Sequence, residues 1–163
     1  MKVKNTSLPR NARGFTLVEL MVTVIIASIL LSIAVPSFTN LIRRNQITTY
    51  ANEFGTAVNL ARSEAAKRGT SVSITSNNGT DWTQGWNVNV VSPAELLRSA
   101  PALTGDNTFT SAANNAVTFN SRGFTTLGAE ETWLLCNANV AAGRQIRIAV
   151  TGRISVREIT PCI

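Results

Sequence analysis

The chain has 163 residues, enough for one domain, and a formal net charge of +6 from 15 Lys and Arg against 9 Asp and Glu. It has no histidine and two cysteines, which removes Ser/His/Asp and Cys/His catalysis, histidine-bound zinc and four-thiolate metal sites. Four of the six net charges fall in residues 1–14, on Lys2, Lys4, Arg10 and Arg13, so the remainder is nearly balanced and is not the composition of a globally basic nucleic-acid binder.

From Phe15 the chain reads FTLVELMVTVIIASILLSIAVPSF, with no charge between Leu20 and Val35. Carried on to Leu41, the stretch reaches the roughly 20 residues that a helix needs to cross a hydrocarbon core. A secretory signal places its small-residue cleavage site after the apolar core. Here Gly14 precedes the core, so a basic leader can be removed while the apolar helix stays. Glu19 interrupts the apolar run, and an ionised carboxylate in hydrocarbon costs roughly 2.5–3.5 kcal/mol even on insertion scales. A cut between Gly14 and Phe15 creates an α-amino group four residues from Glu19, a natural counter-ion on this subunit or on a neighbour. The alternative is that Glu19 sits at the headgroup boundary without a role.

The segment Arg13-Gly14-Phe15-Thr16-Leu17-Val18-Glu19-Leu20 resembles the processing site of type IV pilins and type II secretion pseudopilins. The resemblance implies cleavage by a prepilin peptidase at Gly14, N-methylation of Phe15, and a helix packed in a filament core with Glu19 engaging a neighbouring subunit's N-terminus. It also implies a single pass of the inner membrane, a periplasmic head, and incorporation with other pilin or pseudopilin subunits in a pilus or pseudopilus at the cell surface. Pro36 matches a helix-kinking proline common in these proteins. The chain then divides into a leader over 1–14, a filament-core helix over 15–42 and a head over 43–163.

Past Pro36, apolar residues at spacings of three and four from Leu41 to Ala65 predict a continuing amphipathic helix. It ends at Lys67-Arg68-Gly69, where basic residues suit the helix dipole and glycine suits a left-handed cap. Beyond Gly69, Ser, Thr, Asn, Val and Ile with frequent turn signals predict antiparallel strands. The candidates are Ser71–Ser76, Trp86–Val91, Ala116–Phe119, Thr132–Cys136, Gln145–Val150 and Arg153–Glu158. Ser92–Arg98 reads as a short helix and Thr104–Asn115 as a polar loop. The sum is an α+β fold, a long N-terminal helix laid against an antiparallel sheet, which is the type IV pilin architecture. Trp82, Trp86 and Trp133 are base-stacking platforms or core; core is favoured, because only a basic surround recommends stacking. Asn78-Gly79-Thr80 matches a glycosylation acceptor pattern, for which a turn is the simpler meaning. Cys136 and Cys162 either pair, pinning the tail to the sheet, or stay as buried thiols. The pilin resemblance favours the pair, since it puts the head on the oxidising side of the membrane.

Two alternating runs meet at Thr151-Gly152. A three-residue loop of Val150, Thr151 and Gly152, with Gly152 left-handed, pairs Ala149 with Arg153. Ile146, Ile148, Ile154 and Val156 then share the core face, and Arg147, Arg153, Ser155 and Arg157 the other; a two-residue loop would set arginines opposite isoleucines. Residues 144–163 carry four basic groups, Arg144, Arg147, Arg153 and Arg157, and one acid, Glu158, whereas residues 43–143 carry seven of each sign. Such a cluster is a solvated sheet face or a phosphate site, since each guanidinium fork donates two hydrogen bonds and neutralised phosphates release counterions.

Asp81-Trp82-Thr83-Gln84-Gly85-Trp86, Leu97-Arg98, Val117-Thr118-Phe119-Asn120-Ser121-Arg122-Gly123 and the terminal Gly152-Arg153 are similar to the FimT/GspH family. That family contains a minor pilin of type IV pili and a minor pseudopilin of type II secretion. Its pilus branch is associated with DNA uptake in natural transformation and carries a C-terminal Gly-Arg-x-Arg motif. Gly152, Arg153 and Ile154 fit the motif, but Ser155 holds its fourth position, and Arg157 stands two residues further along the same strand face. The resemblance implies a minor pilin that binds double-stranded DNA without sequence preference, and no cofactor. The alternative is a structural subunit, of a pilus or a secretion pseudopilus, that primes assembly and uses the hairpin against another subunit. No paired carboxylates in a recognisable motif and no glycine-rich nucleotide loop suggest an enzyme.

Overall fold

A computed structural model describes residues 14–112 and 115–162; the leader expected over 1–14 lies outside these except for Gly14. The chain forms two compact units divided between Phe38 and Thr39. Helix α1 (Leu17–Arg68) begins in the first, and by length and composition it is able to cross a membrane. Every described residue of that unit is exposed within the chain, so burial of its apolar side chains comes from outside it. Three of its hydroxyls are satisfied within the helix, Thr23 donating to the Leu20 carbonyl (2.8 Å), Ser28 to Val24 (2.7 Å) and Ser32 to Ile29 (2.7 Å), as suits a water-free setting. The helix runs on through Pro36.

In the second unit α1 buries Ile47, Ala51, Phe54, Ala57, Val58, Ala61 and Ala65. Four of these are alanines, which let strands approach the helix closely around the one large side chain, Phe54. The helix stops at Lys67-Arg68, and Gly69 takes φ +65°, the left-handed cap expected of it. Two antiparallel four-stranded sheets cover this face. One contains β1 (Val72–Ser76), β2 (Trp86–Val90), β3 (Glu95–Ala100) and β5 (Ala116–Phe119) in the order β3-β2-β1-β5; the other contains β4 (Asn107–Ser111), β6 (Glu131–Asn137), β7 (Val140–Ile148) and β8 (Ile154–Ile159) in the order β4-β6-β7-β8.

The sheets share one core. The Phe54 ring meets Trp82, Trp86 and Phe109 edge-on at centroid separations of 5.5, 5.2 and 4.9 Å, and Trp133 at 5.9 Å. The three tryptophans are thus core residues, each at most 1% exposed. Trp82 is held by a short 3-10 helix (Trp82–Gln84), which Asp81 caps by accepting from the Thr83 backbone N–H at 2.8 Å. These two acceptor contacts with Thr83, hydroxyl and backbone, hold the Asp81 carboxyl below its ordinary pKa.

Two segments differ from expectation. Ser92–Arg98 is a turn leading into β3, not a helix: the β2 edge offers backbone partners to Glu95–Ala100, Glu95 pairs with Arg68 at the end of α1, and Leu97 packs against the core. The expected loop Thr104–Asn115 contains β4, because Phe109 joins the aromatic cluster and Asn107 and Phe109 alternate inward against β6. Asn78-Gly79-Thr80 is a turn, with Asn78 Oδ1 accepting from the Thr80 and Asp81 N–H groups.

Cys136 and Cys162 form a disulfide, and the Cys162 N–H donates to the Ala141 carbonyl at 2.8 Å, so the tail folds back over the start of β7. Gly143 leaves the space this needs; a β-carbon there would overlap Cys162 Sγ and the Leu135 carbonyl.

Truncating the hub ring is the sharpest test of this core. Phe54→Ala in the full chain, held in non-ionic detergent, is expected to lose about 3–5 kcal/mol of stability by chemical denaturation. A loss under about 1 kcal/mol would show that the two sheets cohere without it.

Candidate nucleic-acid interface

The β7–β8 hairpin has the register expected from its alternation, with Ile148 opposite Ile154, Arg147 opposite Ser155 and Gln145 opposite Arg157. Its loop is the expected three-residue one: Gly152 N–H donates to the Ala149 carbonyl (2.8 Å), Ala149 N–H to the Arg153 carbonyl (2.9 Å), and Gly152 has φ +77°.

The loop is held from behind. Thr125 donates both its N–H (3.0 Å) and its hydroxyl (3.2 Å) to the Val150 carbonyl, and Arg62 on α1 reaches the Gly152 carbonyl at 3.5 Å. A β-carbon on Gly152 would come within 2.5 Å of the Gly123 carbonyl and 3.2 Å of Arg62 Nε, so glycine is required by space as well as by φ. Gly123 (φ +76°) closes a turn in which Asn120 Oδ1 accepts from the N–H groups of Arg122 (2.9 Å) and Phe124 (3.1 Å). The Asn120-Ser121-Arg122-Gly123 motif is therefore a support for the Gly152-Arg153 loop.

On the face of β7 and β8 turned away from α1, a shallow groove of about 410 Å³ is lined by Arg147, Arg153, Ser155, Arg157 and Glu130. Among the described residues no hydrogen bond or ion pair engages the side chain of Arg153 or Arg157. Arg147 is engaged on two sides: its Nε donates to Gln145 Oε1 at 3.2 Å and its Nη1 lies 3.5 Å from Glu130 Oε1.

Three expectations need correction. Arg144 is not in this cluster; it lies on the helix side of the sheet with Ile146 and Ile148, pairs with Glu158 at 2.5 Å and donates to Thr48 Oγ1 at 3.2 Å. Val156, expected in the core, is 42% exposed, because β8 is an edge strand; Ile154 is the β8 residue that packs on Gly55 of α1. Glu158 is not the only nearby acid, since Glu130 joins the groove. Glu130 continues the outward alternation of Thr132 and Leu134, and extending that run by one period would have found it. Arg62 carries no such signal in the sequence, being one of many polar residues on α1.

At the other end of the chain, Gly14 and Phe15 precede α1 and are exposed. Thr16 caps the helix, its hydroxyl accepting from the Glu19 N–H at 3.1 Å, so Glu19 lies in the first turn, where a carboxylate also suits the dipole.

The Arg144 hydrogen bond and charge, aided by Arg44, hold the Glu158 carboxyl below its ordinary pKa. A depressed folded pKa means the pair stabilises the fold above the ordinary carboxylate range and is lost as pH falls through the folded value. A carboxyl-detected NMR titration is expected to place the Glu158 midpoint below 4.5, and Arg144→Gln to move it upward. An unmoved midpoint in the variant would mean another group sets it.

Residues 50–152 match the family described as type II transport protein GspH, and residues 9–35 match the prokaryotic N-terminal methylation motif. The fold resembles the crystal structure of type IV minor pilin FimU from Pseudomonas aeruginosa PAO1, with a TM-score of 0.64 and 24% identity over 74% of this chain and 98% of that one. A second crystal form of FimU gives a TM-score of 0.60 and 24% identity over 71% and 99% of the two chains. No curated protein matches the sequence.

Proposed function

This chain belongs to the family of the type II transport protein GspH, and on that premise we propose that it is a minor pilin of a type IV pilus whose β7–β8 hairpin binds double-stranded DNA for uptake in natural transformation. The observation that carries the reading is the pair of arginines, Arg153 and Arg157, on one exposed strand face beside Arg147 and without a side-chain partner among the described residues. Four residues apart along a strand, they stand about 13 Å from each other and reach separate phosphates. Gly152 and its backing from Arg62, Gly123 and Thr125 hold the start of that strand, so little order has to be gained on binding. Backbone phosphates are the same in every sequence, and no helix here is offered to the major groove, so the contact is independent of sequence.

Two unpaired arginines give a salt slope near −1.8, which is about a 12-fold weaker affinity at 200 mM than at 50 mM salt. The test is a titration of the full chain in non-ionic detergent with random-sequence duplex DNA at those two concentrations. Arg153→Ala with Arg157→Ala is expected to weaken binding at least 10-fold and flatten the slope while the circular dichroism spectrum is kept. Unchanged affinity would return the hairpin to contact with another pilin or pseudopilin subunit, a reading that Ser155 in the family motif position favours.

At the N-terminus the reading is cleavage by a prepilin peptidase after Gly14, methylation of Phe15, anchorage in the inner membrane, and pairing of Glu19 with the new amine of a neighbouring subunit during assembly. It is supported by the methylation motif over residues 9–35 and by the cost of an unpaired carboxylate in an apolar stretch. Glu19→Ala is expected to be made and processed normally but to be depleted in sheared filaments, as measured by immunoblot. Wild-type incorporation would dismiss the counter-ion role.

A further inference from the structure

The arginine groove contains one carboxylate, and its placement is specific. Glu130 precedes β6 by one residue; the register sets Thr132 opposite Arg147, so Glu130, two residues earlier on the same face, is the diagonal neighbour of Arg147. The next residue, Glu131, points the other way, is 7% exposed and bonds the Ser111 hydroxyl. Glu130 is thus the acid that β6 delivers to the outer face. Its Oε1 lies 3.5 Å from Arg147 Nη1, where a phosphate oxygen of a bound polyanion would have to sit. Gln145 fixes the Nε side of the same guanidinium, leaving the Nη edge to be shared between Glu130 and any incoming anion.

Resting on the DNA reading of this hairpin, we infer that Glu130 is an internal competitor for the phosphate at Arg147 and sets the affinity of the groove. The pair is solvent-accessible, with side-chain exposures of 37% for Arg147 and 52% for Glu130, so the carboxylate is displaceable and not a structural lock. A lone phosphate gains little by replacing it. A duplex already held at Arg153 and Arg157 presents a further phosphate at high local concentration, which contends with the carboxylate in the wild type and takes its place fully only where the carboxylate is removed. The groove therefore favours extended polyanions over free nucleotides and releases them readily.

The experiment measures duplex affinity against salt for the full chain in non-ionic detergent, comparing wild type, Glu130→Gln, Arg147→Gln and the double variant. Glu130→Gln is expected to bind about three- to tenfold more tightly at 50 mM salt, with a slope steeper by about 0.9 because one more phosphate is neutralised. In the Arg147→Gln background the gain is expected to shrink by at least half. Binding by Glu130→Gln where wild type shows none would support the inference in its strongest form. Wild-type binding with no gain in Glu130→Gln, or a gain undiminished without Arg147, would overturn it and leave the DNA reading standing. Failure of both wild type and Glu130→Gln to bind would overturn both.

Discussion

The packing of one helical side chain among rings from both sheets organises the head. Phe54 is surrounded by alanines on α1, and that smooth surface lets Trp82, Trp86, Phe109 and Trp133 converge on it. Edge-to-face contacts of this kind add directional preference to the area they bury, so the cluster sets how the sheets sit on the helix. Sheet position then determines the surface. With Trp133 and Ile146 pointing in, the outward positions of β6 and β7 are those of Thr132 and Arg147.

The hairpin draws on this frame through backbone contacts. Carbonyls of its loop are taken by Thr125 and approached by Arg62, from a neighbouring turn and from the helix. Two glycines meet at that point, Gly152 because a β-carbon would overlap the Gly123 carbonyl and Gly123 because its φ of +76° is left-handed and Arg62 lies close above it. The result is an exposed arginine strand whose start is set by buried Gly123 and Thr125 and by Arg62, while its charges face outward with few partners among the described residues. Arg144 illustrates the opposite use of the same residue type: on the inner face it ties β7 to β8 and to Thr48 of α1.

Period and turn chemistry carried much of this fold in legible form. The alternation in 144–157 determined the hairpin register because a slip by one residue would expose isoleucines, and Gly152 and Gly69 marked left-handed positions. Ser92–Arg98 misled because Pro-Ala-Glu-Leu-Leu suits a helix locally, whereas the strand it forms depends on hairpin pairing with β2, just before it, and on Arg68, 27 residues before Glu95. Thr104–Asn115 misled for a related reason: Phe109 is a lone aromatic in a polar segment, and only the cluster around Phe54 gives it a place. For the candidate site, counting charge grouped Arg144 with the other arginines, although parity along β7 separates it from Arg147. Arg62 acts through tertiary proximity, which a linear reading does not supply, whereas Glu130 stands one period before the outward run of Thr132 and Leu134.

The bond between Cys136 and Cys162 bears on the strand that precedes it. β8 is an edge strand, with β7 as its single neighbour in the sheet, yet its entry is tied to the helix and its exit is stitched back across β6 and β7. Such a strand resembles a beam fixed at both abutments. A pull applied along it is shared between two anchorages instead of opening the ladder from a loose end.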